Sequence, residues 1–264
     1  MYAWWLHLDE LLRGRRTTPE ALARGELKIP LAVALGLAIV LGAVYGFFMG
    51  WFGLLNRTPR DVMFVFASMV KLPALFLLTL IVTFPSLYVF NSLMGCRLTL
   101  LATLKLLLSA IVVNLVVAAS LGTILGFFTL STTSYSFMVV LNVALLGVAG
   151  AVGLGFLLRA LQQLALWQAG AVPAAAVEIV EPRSNAQAGL NPHESPPRAD
   201  DLLGPAHAVF RIWVVIYALV GTQMAWLLRP FIGSPQQPFT WLRPRSGNFY
   251  EALWSAIETL LQAR

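Results

Sequence analysis

Five long apolar stretches occupy most of this chain and limit what it can fold into. They cover residues 30–55, 73–92, 106–130, 137–158 and 208–232. Each is close to the ~20 residues that a helix needs to cross a bilayer. A bilayer interior offers no hydrogen-bond partners to open backbone, so such stretches must close their own hydrogen bonds as helices. The sequence therefore predicts an all-α, polytopic membrane helix bundle with about five transmembrane helices.

The charged residues are few, and they lie mostly beside the apolar stretches. They make up 11% of the chain, against roughly 25% in a soluble domain. The net charge of +6 comes mainly from Lys and Arg at positions where cations meet headgroups and set orientation. No basic stripe lies on a polar surface, so we expect a lipid bilayer and no nucleic acid as partner. The cation distribution favours a cytoplasmic N-terminus, and the Leu-, Ala- and Arg-rich composition favours a bacterial inner membrane.

Three segments of the chain are expected to lie outside the bilayer core. Residues 1–29 combine tryptophans and leucines with charges, a pattern typical of an amphipathic helix at the membrane interface. Within the bundle at 30–232, residues 173–206 read as a Pro-rich polar loop. Residues 233–264 form an extramembrane tail whose last apolar residues recur at helical spacing. Interfacial amphipathic helices are therefore predicted at both termini.

Proline is expected to interrupt the second apolar region. Pro73 lacks a backbone N–H and would clash with the preceding turn of a helix. Residues 59–71 would then form an interfacial or re-entrant half-helix, and 73–92 would form the crossing, kinked near Pro85. The same reasoning makes residues 97–105 an interfacial start to the third crossing.

Small residues recur every four positions in the first and fourth stretches. This spacing lets two helix backbones approach closely, and in lipid such van der Waals contact dominates helix association. The predicted packing faces are Ala34, Ala38, Gly42, Gly46 and Gly50 in the first stretch and Gly147, Ala151 and Gly155 in the fourth. Two interpretations stay open. The two faces pack on each other within one bundle, or they form a subunit interface or an element that slides during gating.

Four polar residues are candidates for a polar path or for lipid contact: Lys71, Asn114, Asn142 and Gln223. An ionisable residue in an apolar run is a functional hypothesis by default. Alternatively, the Lys71 amine reaches the interface and binds a lipid phosphate or a partner carboxylate. For Asn114 and Asn142 the alternative is a hydrogen bond between them. No Asp or Glu lies within the five stretches, which argues against a pump or a proton-coupled carrier.

Catalytic and cofactor motifs are missing from the sequence. There is no HExxH helix, no GxSxG turn and no Gly-rich phosphate loop. The three histidines, His7, His193 and His207, fall outside the centres of the apolar stretches. We therefore predict no catalytic residue, no metal and no cofactor. An enzyme of lipid metabolism that holds a phosphate through Lys71 or Arg97 is a minor alternative, because it would lack a nucleophile, a base and a metal site.

Several features resemble a known family. They are Tyr45-Gly46 and Gly50 in the first stretch, the sequence KLPALFL at residues 71–77, and five stretches behind a long N-terminal lead. In these features residues 28–230 resemble the Yip family of integral membrane proteins, and also bacterial five-span proteins of the same general shape. The resemblance implies a non-enzymatic bundle that acts through protein partners, and it supplies no site residues. The Pro-rich loop and the long tail differ from a typical Yip protein.

Together these features predict a non-catalytic membrane subunit that scaffolds or assembles with other membrane proteins or with itself. The candidate docking residues are Phe239, Trp241, Phe249 and Trp254, although such aromatic residues also anchor proteins at lipid headgroups. The alternative function is an oligomeric channel or facilitator for a small solute. Its pore would use Asn114, Asn142 and Gln223.

Overall fold

Helices are the regular secondary structure in the part of the chain that its computed structural model describes. The described residues are 30–56, 60–93, 100–177, 199–233, 239–242 and 247–262. The predicted interfacial segment at 1–29 and the candidate phosphate ligand Arg97 lie outside these ranges.

Six helices follow one another along the described residues. They are α1 (Leu31–Leu55), α2 (Met63–Leu93), α3 (Leu100–Ser131), α4 (Tyr135–Val177), α5 (Ala199–Leu228) and α6 (Phe249–Gln262). In α1 to α4 a stretch of at least 24 residues is long and apolar enough to cross a membrane, and α5 adds the shorter apolar helix Val214–Leu228. The predicted all-α membrane bundle is confirmed, with four long spans rather than five of equal length among the described residues.

The second helix is continuous through both of its prolines, Pro73 and Pro85. The predicted break at Pro73 is therefore wrong. Proline is tolerated inside membrane helices because neighbouring helices and side chains compensate for the lost backbone hydrogen bond. Here Pro73 lies against α1, where a Cβ built on Gly42 would be 3.0 Å from the Cβ of Pro73. Close packing thus supports α2 at the turn that proline weakens.

Two other predicted boundaries differ from the observed ones. Residues 97–105 are predicted as an interfacial start to the third crossing. From Leu100 onwards they belong to the same continuous helix, α3, as that crossing. The predicted loop at 173–206 is helical at both ends, since α4 continues to Val177 and α5 begins at Ala199. In each case helical structure continues beyond the apolar stretch, which hydropathy alone does not reveal.

The helices pack around α1 in a defined order. α1 contacts α2 and α3 extensively, α5 packs on α2, and α4 packs on α3. α4 and α5 barely touch each other, and α6 packs mainly on α4 and less on α5. The bundle therefore has a gap between α4 and α5 that is not filled by another of the described helices, and α6 lies beside it.

Candidate functional site

The small-residue face of α1 is packed tightly against α2. A Cβ built on Gly46 would overlap the backbone carbonyl of Ser68, and one built on Gly50 would lie 2.6 Å from the Cα of Val65. All five members of the face are buried: Ala34, Ala38, Gly42, Gly46 and Gly50. The three glycines of this face therefore serve the α1–α2 contact.

The small-residue face of α4 is open. A Cβ added to Gly147 or to Gly155 would meet nothing within 4 Å in the described part of the chain, and Ala151 between them is exposed. α4 instead contacts α3 through Gly153, whose added Cβ would lie 2.8 Å from the Cβ of Asn114. The interpretation in which the faces of α1 and α4 pack on each other is therefore wrong.

The candidate polar path is not assembled in the structure. The side-chain oxygen of Asn142 accepts a hydrogen bond from the Tyr45 hydroxyl, 2.8 Å away, so Asn142 binds α1 rather than Asn114. The side-chain oxygen of Asn114 is buried and accepts no hydrogen bond from any described residue. Both asparagines line the gap between α4 and α5, whereas Gln223 is exposed and lines a separate cavity.

Lys71 lies inside the bundle and not at its edge. It is eight residues beyond Met63, the first residue of α2, or about 12 Å along the helix. Only 4% of the residue is exposed. Its ammonium donates a hydrogen bond to the carbonyl oxygen of Pro230, 3.2 Å away, and lies 5.9 Å from the centre of the Trp241 ring. The amine is thus turned towards the chain's own backbone.

The partner of Lys71 is an irregular segment that follows α5, here called the return segment (residues 229–233). Pro230 and Ile232 are buried, and the Ser68 hydroxyl donates a hydrogen bond to the carbonyl oxygen of Phe231. Irregular backbone lacks the helical hydrogen bonds that would pair its carbonyls. Ser68 and Lys71 donate hydrogen bonds to two successive carbonyls of the segment.

The return segment also contacts α1. A Cβ built on Gly53 would lie 3.0 Å from the Cα of Gly233, so two glycines allow the backbones to touch. Beyond it, the Phe239 ring packs edge-on against Phe64, and the Trp241 ring packs against Phe66 in the same way. Two of the predicted docking residues therefore contact α2 of their own chain, and Trp241 stays partly exposed.

The other two predicted docking residues lie on opposite sides of α6. Phe249 faces the gap between α4 and α5 together with Leu253. Trp254 is 64% exposed, and its indole N–H donates a hydrogen bond to Glu258 within the same helix. The predicted amphipathic helix in the tail is therefore present, with one face towards the bundle and one face outwards.

The gap between α4 and α5 is a cavity of about 920 Å³. This volume falls within the ~300–1,000 Å³ that small-molecule sites occupy. Most of its lining residues are apolar and come from α2 to α6. The polar residues of the lining include Asn114, Asn142, Tyr217 and Arg229. The Arg229 guanidinium lies 3.4 Å from the centre of the Trp226 ring at the end of α5. The sequence pattern did not single out Arg229, because it sits at the very end of an apolar stretch.

No group of three or more His, Cys, Asp or Glu side chains in the described ranges could hold a metal ion. Comparisons with models of known protein families, with curated proteins and with solved structures found no match. The resemblance to the Yip family therefore stays a prediction, and the proposals below rest on the residues of this chain.

Proposed function

We propose that the protein is a non-catalytic membrane subunit that assembles with another membrane protein through the outer face of α4. This face consists of Ala144, Gly147, Ala151 and Gly155. One observation carries the proposal: the glycines of this face have open space where those of α1 have a neighbouring backbone.

Glycine in a helix interior lowers the stability of the helix. The cost is roughly 0.5–1 kcal/mol relative to alanine. Gly46 and Gly50 offset that cost through contact with α2, which a side chain at either position would prevent. Gly147 and Gly155 make no such close contact within the described chain. A helix packed on this face would supply the contact that offsets the cost of glycine. The proposed partner element is therefore a transmembrane helix, from another protein or from a second copy.

The immediate surroundings suit a helix–helix contact. Val148 and Val152 flank the small residues on α4 and are 56% and 45% exposed. β-Branched side chains beside a groove of small residues lose little rotamer freedom when a second helix packs there. Trp254 points outwards from α6, so we retain it as a candidate second contact.

The proposed setting is a bacterial inner membrane with the N-terminus in the cytoplasm. Its support is the excess of Lys and Arg on the side of the chain that would face inwards. With that orientation, the C-terminal end of α1 lies on the outer side. The return segment and α6 lie on the same side. Cysteine labelling from outside intact cells, with single cysteines at Ser255 (expected outside) and Leu100 (expected inside) in a Cys96→Ser background, would test the orientation.

The decisive experiment is mild-detergent extraction of the full chain from its own membrane, followed by native-gel sizing and mass spectrometry. We expect co-migration with a defined set of membrane proteins or as a defined homo-oligomer. The variant Gly147→Leu should remove that co-migration. The matched control Ser120→Leu adds bulk at an exposed position on α3 and should leave it intact.

Two outcomes would contradict the proposal. A wild-type chain that runs as a monomer after extraction has no assembly to explain. An assembly that survives Gly147→Leu unchanged does not use the outer face of α4. Because a Cβ built on Gly147 would meet nothing within 4 Å among the described residues, the variant should fold. An unchanged unfolding midpoint in detergent would verify that loss of assembly is not loss of structure.

The channel alternative receives less support from these side chains. Asn142 already accepts a hydrogen bond from Tyr45. Gln223 does not line the cavity that Asn114 and Asn142 line. A solute-flux assay in proteoliposomes separates the two functions. Flux that is lost in a folded Asn114→Leu variant would favour a facilitator over a scaffold.

A further inference from the structure

A second feature of the molecule points to a ligand: the cavity between α4 and α5. We propose that this cavity binds one anionic phospholipid, with an acyl chain between the two helices and its phosphate at Arg229. The cavity shares Gly147 and Ala151 with the proposed subunit contact, whereas Ala144 and Gly155 belong to that contact and not to the cavity. The proposal needs no partner protein and does not depend on the proposed function.

The shape and lining of the cavity suit a hydrocarbon chain. α4 and α5 diverge so far that they barely touch, and side chains such as Leu146, Leu154 and Val214 line the space between them. Gly150 has nothing within 4 Å in the described chain, so the α4 wall is smooth there. Apolar cavities do not hold ordered water, whereas acyl chains surround any gap between membrane helices.

Arg229 supplies the complementary charge at one end of the cavity. It precedes Pro230, whose carbonyl binds Lys71, so its backbone lies at a similar depth to that buried amine. An ionisable residue in an apolar run is a functional hypothesis by default. A guanidinium can stack on an aromatic face and bind two phosphate oxygens through its N–H groups. The stacking on Trp226 is present, which holds the group in a fixed plane.

A second space lies beside Arg229. A second cavity of about 520 Å³ shares Trp226 and Arg229 with the first and is bordered by Gln223 and by Gly247. The Trp226 indole donates a hydrogen bond to the Gly247 carbonyl, so the start of α6 is fixed at this level. Arg229 thus lies where two spaces meet, and the smaller one is also lined mainly by apolar side chains of α5, with the Gln223 amide and the Gly247 backbone among its few polar groups. That arrangement matches an amphiphile with an anionic group and a long chain.

Native mass spectrometry of the full chain in detergent can test the site with lipids of identical acyl chains. We expect phosphatidylglycerol to bind more tightly than phosphatidylcholine. Arg229→Gln should weaken phosphatidylglycerol binding roughly tenfold, as expected for a lost charge-assisted contact, and leave phosphatidylcholine unchanged. Arg229→Lys should retain part of the preference. The control Arg159→Gln removes an exposed arginine outside both cavities and should change neither lipid.

A second variant tests the chain-binding part independently. Gly150→Leu places a side chain in open space, so the bundle should fold and both lipids should bind more weakly. Equal binding of the two lipids with no effect of Arg229→Gln would mean that ordinary bilayer chains fill the gap. Inorganic phosphate that binds without lipid and is lost in Arg229→Gln would mean a free-anion site. Either result would overturn the proposal, as would unchanged lipid binding in Gly150→Leu.

Discussion

The ammonium of Lys71 in α2 donates a hydrogen bond to the carbonyl oxygen of Pro230, 159 positions later in the chain. The contact joins a membrane helix to the return segment at the point where α5 has just ended. Because Ser68 binds the next carbonyl one helical turn earlier on α2, the two side chains hold the segment at two successive residues. A charged group in the bundle thus has a structural task that its position in an apolar run does not disclose.

Lys71→Met should loosen the return segment from α2. The substitution keeps the length and apolar stem of the side chain but leaves the Pro230 carbonyl without this donor, which costs about 1–3 kcal/mol for a buried group. We expect a lower unfolding midpoint in detergent and faster hydrogen exchange at residues 229–242. Lys105→Met, in the first turns of α3, is the control and should leave exchange in that segment unchanged.

The opposite result has a clear physical meaning. Replacing a buried charge by an apolar side chain is sometimes stabilising, because the cost of removing the charge from water disappears. A Lys71→Met protein that is more stable, with unchanged exchange at 229–242, would show that the amine does not hold the segment.

The glycines of α1 and α4 should respond to alanine with opposite signs. Gly46→Ala forces a Cβ against the Ser68 carbonyl, and such overpacking typically costs about 1–3 kcal/mol. Gly147→Ala meets open space and should gain about 0.5–1 kcal/mol from the better helix propensity of alanine. Denaturant titration of the purified monomer in detergent measures both. Equal effects of the two substitutions would contradict the assignment of one packed and one open face.

The small-residue pattern therefore predicted that α1 packs closely, but it could not identify the neighbour. The spacing of glycines indicates that another backbone can approach closely, but it does not indicate which helix of the bundle approaches. Pro73 shows the same limit, since its intrinsic effect on a helix is local, while the contact with Gly42 that accommodates it comes from a different helix. The class of fold followed from hydropathy alone, whereas the order of the helices did not.

The candidate site was even less accessible from the sequence. Asn142 was recognised as a buried polar residue, but its partner proved to be Tyr45, an aromatic residue that composition places among the apolar ones. In the sequence, Arg229 and the return segment resemble the ordinary end of a membrane span. Irregular backbone that packs into a bundle has no sequence periodicity by which it could be recognised. Their roles depend on contacts with α2 and α6, which lie far away along the chain.

The Tyr45–Asn142 hydrogen bond should appear as an energetic coupling between α1 and α4. Interhelical hydrogen bonds in membrane proteins average about 0.6 kcal/mol and reach about 1.7 kcal/mol. A double-mutant cycle of Tyr45→Phe and Asn142→Leu, measured by unfolding in detergent, should give a value in that range. The matched cycle of Tyr45→Phe with Asn114→Leu should give a value near zero. If the second cycle shows the larger coupling, Tyr45 interacts with Asn114 rather than with Asn142.

The start of α6 offers a test of how the helix closes one end of the cavity. The Asn248 side chain accepts a hydrogen bond from the backbone N–H of Glu251, and the Glu251 carboxylate accepts one from the backbone N–H of Asn248. This reciprocal cap satisfies two N–H groups that the first turn would otherwise leave open.

Asn248→Ala should therefore fray α6, since loss of such a cap typically costs about 1 kcal/mol. Hydrogen exchange at residues 249–262 should become faster, while the global unfolding midpoint changes little because α6 packs on the edge of the bundle. Ser255→Ala, at an exposed position of the same helix, is the control. Since Phe249 and Leu253 line the cavity, a frayed α6 should also release bound lipid faster. Unchanged exchange in α6 would mean that its contacts with α4, rather than its cap, hold it in place.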